Sequence, residues 1–402
     1  MRSRHFADPE RAIHAVPYRL REYQEPRTQA QAMTVDVLLI GSGRMALDIG
    51  AYLLGRGRNV AWLSSTPERL PVIERHAAKT MRRLARVAPE EDRKASYRVH
   101  ALGGEDIPSA DCVIEATAES LPKKQRDLGA VAARCEGALL LSNSSSLLPS
   151  RIHPRCVGLH FFYPVSLTGV VELVLPDGSN ARERVERFAA ANGLRMVVED
   201  ERSAFAANRM LVPLQAECMR ALRDGAPAEV VDECSAVAEM AVGQLKLMDT
   251  VGIETILTSV KNYARLTGPI DAADVSVLEE CLRELARATR DASSGPSLLS
   301  DGVLPWQSSS CSDTSREMLC TRFAAVYANT VLRYEEHGLM RRADLDVIVS
   351  AVHGAADSVD ELIRRLGPES IRAQLQQLHR GEARSYFQPS RLLELWEPDK
   401  QH

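Results

Sequence analysis

Residues 158–174 read GLHFFYPVSLTGVVELV, an almost wholly apolar run that nevertheless carries His160 and Glu172, twelve residues apart. An imidazole titrates near neutrality. A carboxylate on its far nitrogen fixes the tautomer and stabilises the imidazolium, so the two together suit proton transfer. Apolar surroundings strengthen that coupling by lowering the local dielectric. For the same residues, the non-chemical alternative is a strand-end histidine bonded to backbone.

A second constellation is Gly41-Ser42-Gly43-Arg44-Met45-Ala46. It follows an apolar run at 35–40 and opens a stretch with helical spacing at 45–54. Gly55 and Gly57 end that stretch before another apolar run at 60–63. In a strand–turn–helix context the first glycine makes a tight turn and the second admits a pyrophosphate. The small Ala46 lets helix and strand pack closely, and the helix N-terminus offers free N–H groups to the phosphates. The second strand should end on an acidic residue for the ribose of NAD, but here it ends Ser64-Ser65-Thr66, with Arg69 close behind. Hydroxyls and a guanidinium also accommodate a 2′-phosphate. The expected cofactor is NAD, with NADP as the alternative.

These groups need a scaffold. Short apolar runs alternate with helical stretches from about 35 to 200, with DCVIEAT and GALLLSNSS supplying two further strands, which predicts a doubly wound parallel sheet. Beyond about 203, amphipathic segments rich in Ala, Leu, Arg and Glu predict an all-α region. It contains two similar frames: an arginine (Arg209, Arg322), a helix, a glycine sixteen residues on (Gly225, Gly338), a second helix and a closing Ser-Ala-Val. This points to duplication. The expected organisation is an N-terminal extension at 1–34, a dinucleotide-binding domain at 35–202, a first helical domain at 203–291, a Ser/Gly/Pro-rich loop at 292–316 and a second helical repeat at 317–402.

Composition narrows the class. The 402 residues are 45% hydrophobic and 26% charged with a formal charge of −4, and the pI is near 6.2. No basic footprint for nucleic acid and no apolar run of membrane-spanning length is present. Residues 1–32 hold six arginines alongside Asp8, Glu10, Glu22 and Glu25, with no apolar core resembling a leader. The eight cysteines show no CxxC spacing and no clustering with histidine that would ligate metal. They read as small buried hydrophobes in a reducing compartment, and the expected location is the cytoplasm.

SNSSSLLPSRI, GLHFFYPVSLTGVVELV and ANRMLVPLQAECMRAL occur in that order at the right separations. With the glycine turn, they make residues 35–265 resemble the 3-hydroxyacyl-CoA dehydrogenase family. The stretch 317–390 is similar to the second C-terminal domain of its multifunctional members. The resemblance implies that His160 is the general base and Glu172 its partner. It implies that Ser145 bonds the substrate oxygen, that Asn208 completes the polar contacts, and that Glu119 and Lys124 meet the nicotinamide-side ribose. Three places depart from the family pattern. Tyr163 replaces an asparagine and would crowd the nicotinamide/substrate junction, Ser203-Ala204 replace Pro-Gly, and Gly243-Gln244-Leu245-Lys246 replace Gly-Pro-Phe-Glu.

The expected activity is interconversion of a 3-hydroxyacyl thioester and its 3-oxoacyl form. The carrier is coenzyme A or, as in relatives of polyketide-type pathways acting on small polar groups such as glyceryl, an acyl carrier protein. A non-catalytic dinucleotide-binding descendant is the competing reading. The resemblance implies a homodimer, or a monomer if the second repeat replaces the partner subunit.

Overall fold

The computed structural model describes residues 35–87, 95–266, 272–288, 297–299, 315–382 and 384–396. The expected N-terminal extension and most of the expected Ser/Gly/Pro-rich loop lie outside the described residues. Eight strands form one sheet: β1 (Val35–Ile40), β2 (Val60–Ser64), β3 (Tyr97–Ala101), β4 (Ala110–Glu115), β5 (Leu139–Ser142), β6 (Cys156–Phe161), β7 (Val170–Leu175) and β8 (Arg195–Asp200), in the order β3-β2-β1-β4-β5-β6-β7-β8. The helices α1 (Arg44–Gly55), α2 (Leu70–Val87), α3 (Leu121–Ala132), α4 (Pro149–Ile152), α5 (Val165–Thr168) and α6 (Arg182–Ala191) fall between them.

The first six strands are parallel, and the apolar side chains of β1, β2, β4, β5 and β6 are buried on both faces, as their hydrophobic runs require, while those of the edge strand β3 are half-buried. The expected doubly wound parallel sheet is observed with one reversal, at β7, which runs antiparallel to β6 and parallel to β8. Only residues 162–169 link β6 and β7. A parallel crossover needs a dozen or more residues, so so short a link must turn the chain back. The reversal puts His160 directly opposite Glu172 in register. At the other side of the sheet, Ile40 pairs with Leu63 and with Glu115, so the ends of β1, β2 and β4 gather around the glycine turn.

The helical region comprises α7 (Ala206–Arg223), α8 (Ala228–Cys234), α9 (Gln244–Val251), α10 (Ile253–Tyr263), α11 (Ala272–Ala288), α12 (Arg316–Glu336), α13 (Arg342–Val347), α14 (Val359–Leu366) and α15 (Pro368–Gly381). No strand occurs there among the described residues. α7 is buried along nearly its whole length, packed by α8, α9, α11 and α12. Both frames noted in the sequence end their first helix alike. Gly225 (φ 89°) and Gly338 (φ 61°) take the left-handed conformation that lets the last carbonyls be capped, Leu222 O by Gly225 N–H and Glu335 O by Gly338 N–H. The second helix then differs: α13 runs into a π-helical stretch, Ile348–Val352.

One expectation about the cysteines is corrected. Cys112, Cys135, Cys156, Cys218 and Cys281 are buried thiols, but Cys234 at the end of α8 and Cys320 in α12 form a disulfide across 86 residues. No local spacing signals this pairing, because it depends on α12 folding back over α8. Among the described residues, no helix is long and apolar enough to cross a membrane, and no cluster of His, Cys, Asp and Glu could hold a metal ion.

Candidate active site

At the end of β1, Gly41 has φ 139°, and a Cβ there would lie 2.4 Å from Ala116 O and 3.0 Å from the Ala46 side chain. Only glycine fits this turn. Gly43 precedes α1 and has open space around it, and no side chain caps the first turn of α1. Open space, uncapped amides and the positive end of a helix together suit a pyrophosphate. Ala46 is fully buried, and Met45 packs on the core beside it. Exposed Arg44 donates from Nη1 to Thr250 O (3.0 Å), and its Cζ stands 5.9 Å from the Tyr163 ring centroid.

At the end of β2, Ser64, an expected cofactor contact, is engaged within its own turn. Ser64 is buried, and its hydroxyl is consumed by its own turn, accepting from Thr66 N (3.1 Å) and donating to Thr66 O (3.0 Å). Such hydroxyl turns are the usual fate of serine at a strand end. The exposed neighbour Ser65 lies within 2.6 Å of Lys123 Nζ, which also pairs with Asp127.

Lys124, expected beside the nicotinamide-side ribose, has a side chain only 1% exposed. Its ammonium is shared among Glu115 (3.1 Å), Glu119 (3.5 Å) and Thr117 O (3.3 Å), which uses its three donors inside the protein. Burial lowers the affinity of Lys124 for its proton, but Glu115 and Glu119 outweigh that and raise it. Burial likewise pushes Glu119 up, yet the Lys124 charge and the Ser144 and Ser146 hydroxyls hold it below the usual carboxylate range. The serine run explains itself here. Ser142 bonds Glu115 (2.7 Å), and Ser144 and Ser146 each bond Glu119 (2.6 Å). Among the described residues the Ser145 hydroxyl alone in this run takes no partner, while its backbone N–H donates to Glu119 (3.2 Å).

His160 Nδ1 meets Glu172 Oε2 at 2.7 Å, with both side chains buried. The other carboxylate oxygen accepts Ala207 N–H (2.8 Å) from the first turn of α7. Burial raises Glu172, but the bond to His160, the His160 charge and the Ala207 N–H hold it below the ordinary range. With Nδ1 so engaged, Nε2 is the nitrogen left to meet a ligand. Phe162 (ring centroids 4.4 Å apart) and Phe205 (6.3 Å) wall the imidazole. Phe205 adopts φ 64° immediately before α7. A non-glycine residue in that region stores strain of about 1–3 kcal/mol, and here it sits where α7 must be aimed at the carboxylate.

Asn208 follows Ala207 and neighbours Tyr263 of α10, whose hydroxyl donates to Ser145 O at 2.8 Å. His160, Glu172, Ser145 and Asn208 are thereby brought near one another through Ala207 and Tyr263. Tyr163 is 54% exposed and stands beside Arg44. The departing Gln244 is buried and bonded to Gln215 (3.2 Å) and Ser235 (2.8 Å), and Ser203 caps back onto Asp200 (3.0 Å).

Sequence reading missed three groups beside this centre: Tyr263, Glu199 and His353. His353 bonds Ala207 O through Nε2 (2.8 Å) and the Tyr327 hydroxyl through Nδ1 (2.8 Å). Burial pushes it down to about 4, although the Ala207 bond and Glu172 pull the other way. Glu199 had one readable signal, an acidic residue on the inward phase of β8, whose Val197 is also buried.

Both domains and the fold have counterparts among known proteins. Residues 36–209 match the family model for the NAD binding domain of 3-hydroxyacyl-CoA dehydrogenase, and residues 205–295 match its C-terminal domain. The 3-hydroxybutyryl-CoA dehydrogenase of Escherichia coli K12 superposes with a TM-score of 0.69 at 18% identity, covering 90% of this chain and 98% of its own. The (S)-3-hydroxybutyryl-CoA dehydrogenase of Ralstonia eutropha superposes at 0.54 with 23% identity, covering 66% and 97%. The dehydrogenase part of a multifunctional enzyme from C. elegans superposes at 0.52 with 14% identity, covering 93% and 94%. At these identities the structural likenesses speak for the fold, and the family models speak for kinship: the chain belongs to the 3-hydroxyacyl-CoA dehydrogenase family of oxidoreductases, with NAD as its cofactor.

Proposed function

We propose that the chain interconverts a short 3-hydroxyacyl-CoA and the 3-oxoacyl-CoA, with His160 as the acid/base. The observation that carries this reading is the buried 2.7 Å contact between His160 Nδ1 and Glu172, which leaves Nε2 for a substrate hydroxyl. In the oxidative direction Nε2 takes the hydroxyl proton, and Glu172 stabilises the imidazolium formed. Ser145, with its unengaged hydroxyl, and Asn208, beside Tyr263, hold the substrate oxygen. Gly41, Gly43, Arg44 and Met45 hold the dinucleotide, with Glu119 closing the ribose side. NAD bound there supplies the hydride acceptor. Phe162 and Phe205 keep water from the imidazole, which strengthens its coupling to Glu172.

The CoA thioester is chosen because the E. coli and Ralstonia neighbours carry that substrate class in their names. The test is NADH formation from 3-hydroxybutyryl-CoA and from the same acyl group on a phosphopantetheinyl carrier protein. Turnover on CoA is the expected result. Turnover confined to the carrier protein would reassign the carrier, and NADH from neither would overturn the reading.

A further inference from the structure

Behind Glu172 stands a second buried carboxyl that the proposed chemistry does not use. Glu199 of β8 is 2% exposed. Its two oxygens lie 3.3 and 3.4 Å from the Ala206 amide, and the pairing of β7 with β8, Glu172 with Val197 and Val174 with Glu199, sets it on the same side of the sheet as Glu172, close enough for each carboxyl to act on the other. The N-terminus of α7 therefore faces two carboxyl groups at once, Ala207 N–H on Glu172 and Ala206 N–H on Glu199. Two carboxyl groups held this close in an apolar interior do not both ionise. His160 bonds Glu172 and not Glu199, so the proton belongs to Glu199.

We infer that Glu199 is a positioning residue for the His160–Glu172 pair: as a neutral acid it donates to Glu172, holds that carboxylate toward His160 and Ala207, and moderates its pull on the imidazolium. The inference rests on the reading of His160 and Glu172 proposed above. Burial drives Glu199 well above the usual carboxylate range, and Glu172 drives it in the same direction. The groups facing it are Glu172 from β7, Arg209 from α7 and Tyr334 from α12. Arg209 works against protonation of Glu199, but it is also turned toward the Arg202 and Ala204 carbonyls (both 3.4 Å). Burial pushes Tyr334 up to about 12, and Glu199 and Glu172 add to that rise. It is therefore no source of negative charge at neutral pH.

A merely structural acid capping α7 would be replaceable without changing how the reaction responds to pH. The experiment is the pH profile of kcat/KM for thioester oxidation in wild type, E199Q and E199L, each checked for NAD binding. Glutamine keeps a donor toward Glu172 and should leave the acid limb in place. Leucine removes the donor, so Glu172 holds the imidazolium more tightly. The acid limb should move to higher pH by about half a unit to one unit, a roughly three- to tenfold loss on that limb. If E199L does not fold, infrared spectroscopy of wild type against E199Q at neutral pH decides. A protonated carboxyl C=O stretch absent from E199Q supports the inference, and its absence from wild type overturns it. Profiles that superimpose in all three proteins would also overturn it. H160A is the control, because full turnover there would mean that the dyad reading itself had failed.

Discussion

His160 and Glu172 act across a single strand pair, so a twelve-residue segment carries both and the pair is legible in the sequence. Ser145 and Asn208 were legible only as members of motifs, and the link between them was not. Tyr263 reaches Ser145 from 118 residues away, and His353 reaches Ala207 from 146. No local pattern encodes such partners. The burial of Lys124 was not legible either: its neighbours in the chain look like a solvated surface, whereas Glu115 and Glu119 draw it inside. His353 also yields a pH prediction. Its affinity for a proton is depressed to about 4 in the fold, so the unfolded chain binds that proton first as pH falls. The stability it contributes is intact above the ordinary histidine value of about 6.5 and is lost as pH drops toward 4. Thermal unfolding across that window should fall more steeply in wild type than in H353Q. Parallel curves would refute the assignment.

At the scale of elements, the glycine turn and the reversal at β7 do the positioning. The turn was readable because steric demands on Gly41 are local, and β1 matches the expected run of residues 35–40. The antiparallel β7 was not read, although the eight-residue link that enforces it was visible in the sequence. Gly41→Ala should reduce NAD affinity at least about tenfold and cost about 1–3 kcal/mol of stability. The new Cβ meets Ala116 O at 2.4 Å in a backbone region that alanine avoids. Calorimetric titration with NAD and thermal unfolding check this together, and unchanged affinity would show that the turn does not hold the dinucleotide.

At the scale of the molecule, the second helical repeat completes surroundings that the first leaves open. α12 lies along α7. Arg322 and Tyr386 both bond Glu217, Arg220 pairs with Glu382, and His353 holds the carbonyl of the residue whose N–H orients Glu172. The duplicated helix–glycine–helix frame made this region legible as two related pieces. What each piece does was not legible, since Arg209 and Arg322 hold equivalent places yet differ in use: Arg209 is turned to backbone carbonyls, and Arg322 to Glu217.

The central claim is that His160, held by Glu172, moves the proton. Single-turnover NADH formation in H160A with saturating NAD and 3-hydroxybutyryl-CoA tests it most directly. The expected result is a rate lower by about 10²–10⁴-fold with NAD affinity unchanged. A wild-type rate in H160A would contradict it.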